Sequence, residues 1–312
     1  MSTATRVTGF LLGLAALFAL SLGLGRAWGP AEPVQASAHD PAGHGATRSG
    51  VANPSAAAET HVPGGLMIAQ GGYALELAEA EVAPGDVRVE FTVSGPDGRP
   101  LTSYDVQHER RLHLIAVRRD LTGFQHVHPV LSADGVWSAT LDVTAGDWRL
   151  FADFKPSGAD PLTLGADLAV AGDYRPATPV APSRTAQVDD YSVTLEGALT
   201  AGADSRLTLS VERNGEPVTD LEPYLGAYGH LVVLRAGDLA YLHVHPEGAP
   251  GDGSTEPGPD VEFTASVPSS GTYHLFLDFR HRGVVRTAAF TLPTRGHDAP
   301  GPAHPGDAHT DH

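Results

Sequence analysis

The sequence predicts an all-β protein: two tandem immunoglobulin- or cupredoxin-like β-sandwich domains behind an N-terminal hydrophobic helix. Three observations point there. The 312-residue chain holds 36 glycines and 25 prolines, and after its N-terminal segment it shows no long amphipathic helical pattern. Short β-rich runs alternate with turn chemistry, as in Ala83-Pro84-Gly85-Asp86 and Gly95-Pro96-Asp97-Gly98. The second half then repeats the first, motif by motif and in the same order.

Residues 1–38 read as a targeting segment. Arg6 precedes an apolar run from Val7 to Leu24, interrupted by Thr8, Ser21 and glycines, whose length lies at the border between a signal peptide and a spanning helix. Ala36-Ser37-Ala38 resembles a signal cleavage site, but it lies well downstream of the apolar run, so an uncleaved membrane anchor is the alternative. Either way the body is expected outside the cytoplasm, secreted or anchored to the membrane. Residues 39–64, rich in Ala, Gly, Pro and Ser, read as a disordered, His-containing linker, and 294–312 as a disordered His-rich tail. Seven of the sixteen histidines lie in these two tails.

The first sandwich is expected over 65–172, with strands at Tyr73–Ala80, Asp86–Ser94, Arg111–Arg118, Gly123–His128, Val136–Val143, Asp147–Phe154 and Leu164–Val170. About seven short strands suit a sandwich. A Pro-rich linker, 173–185, separates it from the second sandwich, 186–293. There VEFTASVPSSGTYHLFLDF (261–279) aligns without a gap on VWSATLDVTAGDWRLFADF (136–154). An acidic Gly/Pro insert near Gly248–Pro259 is the one large difference.

The most informative repeat is a hairpin. LHLIAVRRDLTGFQHVHP (112–129) and GHLVVLRAGDLAYLHVHP (229–246) align throughout. Each has two β-rich runs about a polar turn. His126 and His128 are two apart and share one strand face. A turn centred on Asp120–Leu121 puts His113 opposite His128, so three imidazoles share one face; the same reasoning groups His230, His243 and His245. Three neutral imidazoles a few Å apart suit a transition metal. The other reading is that they hydrogen-bond within the sheets.

Further candidates flank these. Asp153 and Asp278 alternate with Phe151 and Phe276 in the aromatic-rich strands. A carboxylate there needs a partner, as a ligand, as an anchor for a ligating imidazole, or against an Arg such as Arg118 or Arg235. His108 precedes the first hairpin without a counterpart in the second half. His274 shares a face with Asp278, so the halves need not be equivalent. His281, in an Arg-flanked turn, is expected at the surface.

Composition narrows the chemistry. A formal net charge of −17 makes nucleic acid and anionic membranes poor partners, leaving membrane contact to the N-terminal segment. The chain has no cysteine and, besides the initiator, only Met67 as methionine, so thiolate, Met-rich Cu(I) and blue-copper sites are excluded. Nitrogen and oxygen donors suit Cu(II), Zn(II) or Ni(II), with Cu(II) highest in the affinity series. No hydrolase elbow, phosphate loop or cofactor fingerprint occurs. The chain is therefore read as a non-enzyme; a zinc-dependent hydrolase ranks third, for want of a base beside the histidines.

Tyr104-x-Val-x-His108-Glu109-Arg-x-Leu-His113-Leu-Ile, followed by Asp120-Leu-x-x-Phe124-x-His126-x-His128-Pro129, resembles exported bacterial proteins whose immunoglobulin-like domains are similar to the YtkA-like group. The second half's Tyr224-Leu-Gly-Ala-x-Gly-His230-Leu-Val-Val looks like the companion motif. The resemblance covers roughly 65–293 and implies an extracytoplasmic sandwich associated with heavy metals or copper. The expected function is capture, buffering or delivery of a transition metal, most readily Cu(II), with a metal transporter or other envelope protein as partner. The alternative is a non-metal structural or protein-interaction module of the cell envelope.

Overall fold

A computed structural model describes residues 62–242 and 244–295. The expected N-terminal helix, most of the first linker, His243 and the tail from 296 lie outside the described residues. All regular elements within them are strands. The first half carries β1 (Ala69–Gln70), β2 (Tyr73–Leu77), β3 (Glu81–Val82), β4 (Gly85–Ser94), β5 (Tyr104–Asp105), β6 (Leu112–Arg118), β7 (Gln125–Val127), β8 (Val130–Leu131), β9 (Val136–Val143), β10 (Gly146–Pro156) and β11 (Leu162–Val170). The second carries β12 (Thr185–Val188), β13 (Tyr191–Gly197), β14 (Ala203–Arg213), β15 (Glu216–Pro217), β16 (Gly229–Arg235), β17 (Tyr241–Leu242), β18 (Val244–Pro246), β19 (Asp260–Val267), β20 (Thr272–His281) and β21 (Val284–Pro293).

These strands form four sheets. β1-β2-β4-β9-β8 faces β3-β11-β10-β6-β7, the latter with β5 on β10. β12-β13-β14-β19-β18, with β15 on β14, faces β17-β16-β20-β21. Period-two alternation builds each core. Val89, Phe91 and Val93 of β4 meet Leu114 and Ala116 of β6 and Leu150 of β10 in the first sandwich. Leu207, Leu209 and Val211 of β14 meet Leu231 and Val233 of β16 and Leu275 of β20 in the second.

The sandwiches are not strung loosely on a linker. A third core joins the outer face of β6 and β10 to the outer face of β16 and β20: Ile115, Val117 and Phe151 pack with Val232, Leu234 and Phe276. This is why β6 is buried from Leu112 to Val117 without alternation; even positions fill one core and odd positions the other. Fully burying each such side chain stabilises by about 1.5–3 kcal/mol. The repeat shapes the junction. Phe124 of the first hairpin stacks on Phe276, ring centroids 4.0 Å apart and planes 5° apart. Its counterpart Tyr241 packs on Phe151 at 5.6 Å.

Both expected linkers are held where described. The Ala177 N–H donates to Asp120 at 2.9 Å, and Ser183 bridges to Thr291. Gly64 bridges to Tyr241. The buried Arg149 holds the following residues as a strap, donating to the carbonyl of Gly65 at 2.6 Å and of Leu66 at 3.1 Å.

Candidate functional site

The site follows from the alternation that builds the third core. His113 lies on the Ile115 and Val117 face of β6, Asp153 on the Phe151 face of β10, His230 on the Val232 face of β16 and Asp278 on the Phe276 face of β20. The ladders pair His113 with Asp153 and His230 with Asp278. The polar ends of two repeated faces thus meet at one end of the junction.

The first hairpin has the register its turn predicts: Leu114 opposes Val127 and Ile115 opposes His126. His113, His126 and His128 converge, each offering a ring nitrogen within 4.8 Å of the others. His230, from the second half, joins them with its ring stacked on His113 at 5.5 Å and 4.9 Å from His126.

Hydrogen bonds fix the tautomers. His113 Nε2 lies 3.1 Å from the carbonyl of Gln107, which only accepts, so Nε2 carries hydrogen. His126 Nδ1 lies 2.7 Å from Asp278 Oδ2, while Asp278 Oδ1 accepts from the Thr287 hydroxyl at 2.6 Å. Nδ1 of His126 therefore donates. The two remaining nitrogens, His113 Nδ1 and His126 Nε2, face each other at 3.0 Å. With both rings neutral in these tautomers, two lone pairs point at one another, an arrangement relieved by a metal ion or by one added proton in the His113–His126–Asp278 chain. His128 Nε2 is buried beside them without a hydrogen-bond partner among the described residues, an arrangement that asks for a ligand.

The electrostatics keep lone pairs available. Burial, then the neighbouring His126, pushes His113 down to about 3, against a smaller upward pull from the Gln107 carbonyl. Burial, His126 and Arg110 push His128 down to about 4. His230 is held well below the usual histidine range by burial and then by His126, His113, His108 and His128. At neutral pH these three imidazoles are uncharged and able to ligate.

Among the described residues, the second hairpin's histidines form no cluster of three. β17 keeps the repeated register, with Val233 opposite Leu242. From Val244 the chain leaves that sheet, and β18 pairs with β19, His245 opposite Thr264. His245 is exposed and stands on a cleft with His108 and Asp153. His243 lies outside the described residues. Asp153 accepts from the Thr163 hydroxyl at 2.9 Å and is bonded by Tyr241, whose hydroxyl burial and this carboxylate hold well above the usual tyrosine range. His274 is part-buried, its Nδ1 3.3 Å from the Thr291 hydroxyl, and burial lowers its pKa. His281, expected at the surface, is buried, with its Nδ1 2.8 Å from the Tyr191 hydroxyl.

Sequence reasoning missed three participants: the Gln107 carbonyl, Thr287, and the pairing of His126 with Asp278 across the halves. The first two leave no local signal. The third had one, since strands apolar on both faces are covered on both.

With this geometry in hand, comparison with known proteins gives a family. A family model described as a domain of unknown function, DUF8832, matches residues 68–171 and again 186–296, and the chain belongs to that family, carrying its domain twice. No curated protein matches. Among solved structures the chain is similar to FdeC, an adhesin of Escherichia coli, at 16% identity and a TM-score of 0.24, covering 73% of this chain and 65% of that one. It is also similar to the adhesin InvE of Yersinia pseudotuberculosis, at 13% and 0.21, covering 71% of this chain and 58% of that one. The D00-D0 domain of Intimin is similar at 10% and 0.21, covering 70% and 98%. The chain thus spans less than two thirds of either adhesin structure.

Proposed function

We infer that the protein is an extracytoplasmic transition-metal-binding protein holding one ion, most readily Cu(II), at His113, His126 and His128. One observation carries the reading. Gln107 and Asp278 occupy the outer nitrogens of His113 and His126, and the inner nitrogens face each other at 3.0 Å. Outer N–H groups held by a carbonyl and a carboxylate are what metal-ligating histidines show. The unpartnered Nε2 of His128 supplies a third donor. His230 stands at hand for a fourth. All-nitrogen donors suit Cu(II), with Zn(II) and Ni(II) below it. We read one site at the junction of the halves, where the repeat suggests two equivalent ones.

The role is capture, buffering or delivery, outside the cytoplasm, by two immunoglobulin-like modules, with a metal transporter or other envelope protein as partner. Among the described residues no catalytic base stands out beside the imidazoles, and we read a binding protein rather than an enzyme. A second reading draws on the same hydrogen-bond chain. One added proton in that chain satisfies it equally, making the cluster a structural clamp between two interaction modules.

Titration of the full chain with Cu(II), Zn(II) and Ni(II) separates the two. Metal binding predicts one saturable site that His126→Ala with His128→Ala abolishes, above any weak uptake by the terminal histidines. A structural clamp predicts identical isotherms for the variant and the parent.

A further inference from the structure

The cluster has an exposed end, the turn that precedes β6. Residues 107–110 form a tight turn closed by two backbone bonds, Gln107 N–H to Arg110 at 2.8 Å and Arg110 N–H to Gln107 at 2.9 Å. Its central residues, His108 and Glu109, have φ of 46° and 62°, a conformation usually filled by Asn and Gly. The matching turn of the second half uses Leu225 and Gly226. The turn orients His113 through the Gln107 carbonyl, which needs no side chain at 108. Non-glycine residues in this left-handed region are found often at ligand-binding sites.

The placement of His108 suits it to ligand binding. It is exposed, yet its ring lies 5.5 Å from His230 and 6.1 Å from the buried His113. It lines a cleft of about 360 Å³ that also presents Asp153, Thr163 and the exposed His245. The second hairpin's displaced histidine therefore stands on the same opening as the first half's additional one. The protein's negative charge draws cations toward such openings.

We propose that His108 and His245 form a solvent-side capture station for a divalent transition-metal ion, which passes inward to His113, His126 and His128 by exchange of imidazole ligands. The exchange changes no oxidation state. The proposal rests on the metal-binding reading above.

The test uses the full chain with Cu(II) as probe, following association by stopped-flow tryptophan quenching and the equilibrium site by electron paramagnetic resonance. The variant is His108→Gly with His245→Ala; glycine adopts the turn's φ freely, and circular dichroism checks the fold. The expected result is an association rate lower by about tenfold or more, with an unchanged spectrum and affinity. An unchanged rate overturns the proposal. So does an altered equilibrium spectrum, which would make these residues permanent ligands. If His126→Ala with His128→Ala binds copper as the parent does, the buried site itself is refuted and the capture station falls with it.

Discussion

Asp278 of the second sandwich sits 2.7 Å from His126 Nδ1 of the first, with each side chain only 2% exposed. The halves are therefore joined by a buried hydrogen bond beyond the reach of water, as well as by apolar packing. Removing the carboxylate leaves a buried N–H and the Thr287 hydroxyl unsatisfied. Asp278→Ala should lower stability by about 1–3 kcal/mol, read from the denaturant midpoint. It should also weaken Cu(II) binding about 10–100-fold, because the imidazole loses its orienting partner. An unchanged isotherm would detach Asp278 from the site.

The third core makes the two sandwiches one folding unit. The parent should unfold in a single transition by circular dichroism and by tryptophan fluorescence alike. Phe276→Ala removes the ring stacked on Phe124 and should cost about 3–5 kcal/mol. Separation of the two probes in this variant would show that the junction couples the halves; coincident transitions at the parental midpoint would show that it does not.

Asp120 gives the first hairpin an acid-sensitive hold. Burial opposes its ionisation, but Arg118, the Ala177 amide and the Thr122 hydroxyl and amide outweigh it and hold the carboxyl well below the usual range. A depressed folded-state pKa adds stability that is present above the unfolded value, about 4, and is lost as pH falls through the folded one. Asp120→Asn should be less stable than the parent at pH 7, and the gap should close steadily below about pH 4. Denaturant melts across that range would settle it; a gap that stays constant with pH would mean the carboxylate's charge is not what holds the turn.

Gly165 admits the strap. A Cβ there would lie 2.0 Å from the Gly65 carbonyl oxygen and 2.5 Å from an Arg149 nitrogen. Gly165→Ala should lower Tm, costing about 2 kcal/mol or more, and should open residues 62–67 to proteolysis. A parental cleavage pattern would count against it.

Much of this was legible in the sequence. The turn at Asp120–Leu121 sets the pairing of His113's strand with that of His126, because period-two geometry leaves little freedom once a turn is placed. Phe151 and Phe276 mark the face on which the aspartates lie. What the sequence hid was long-range. No local signal says that β18 changes sheets two residues beyond Leu242 and pairs His245 with Thr264. Nor does spacing within one half show that the partner of His126 lies in the other. The unbroken burial of β6 was the available clue, and it concerns packing between sheets rather than within them.

The face that each half turns toward the other is built from the same repeated positions, so it is self-complementary. Such a face is what a symmetric dimer presents. Fused into one chain, the two copies need no longer remain alike. One hairpin groups its three histidines, and in the other His245 pairs with a strand of the opposite sheet. A single half, cut from its sibling, would leave Ile115, Val117 and Phe151 bare, and would be drawn to a second copy of itself.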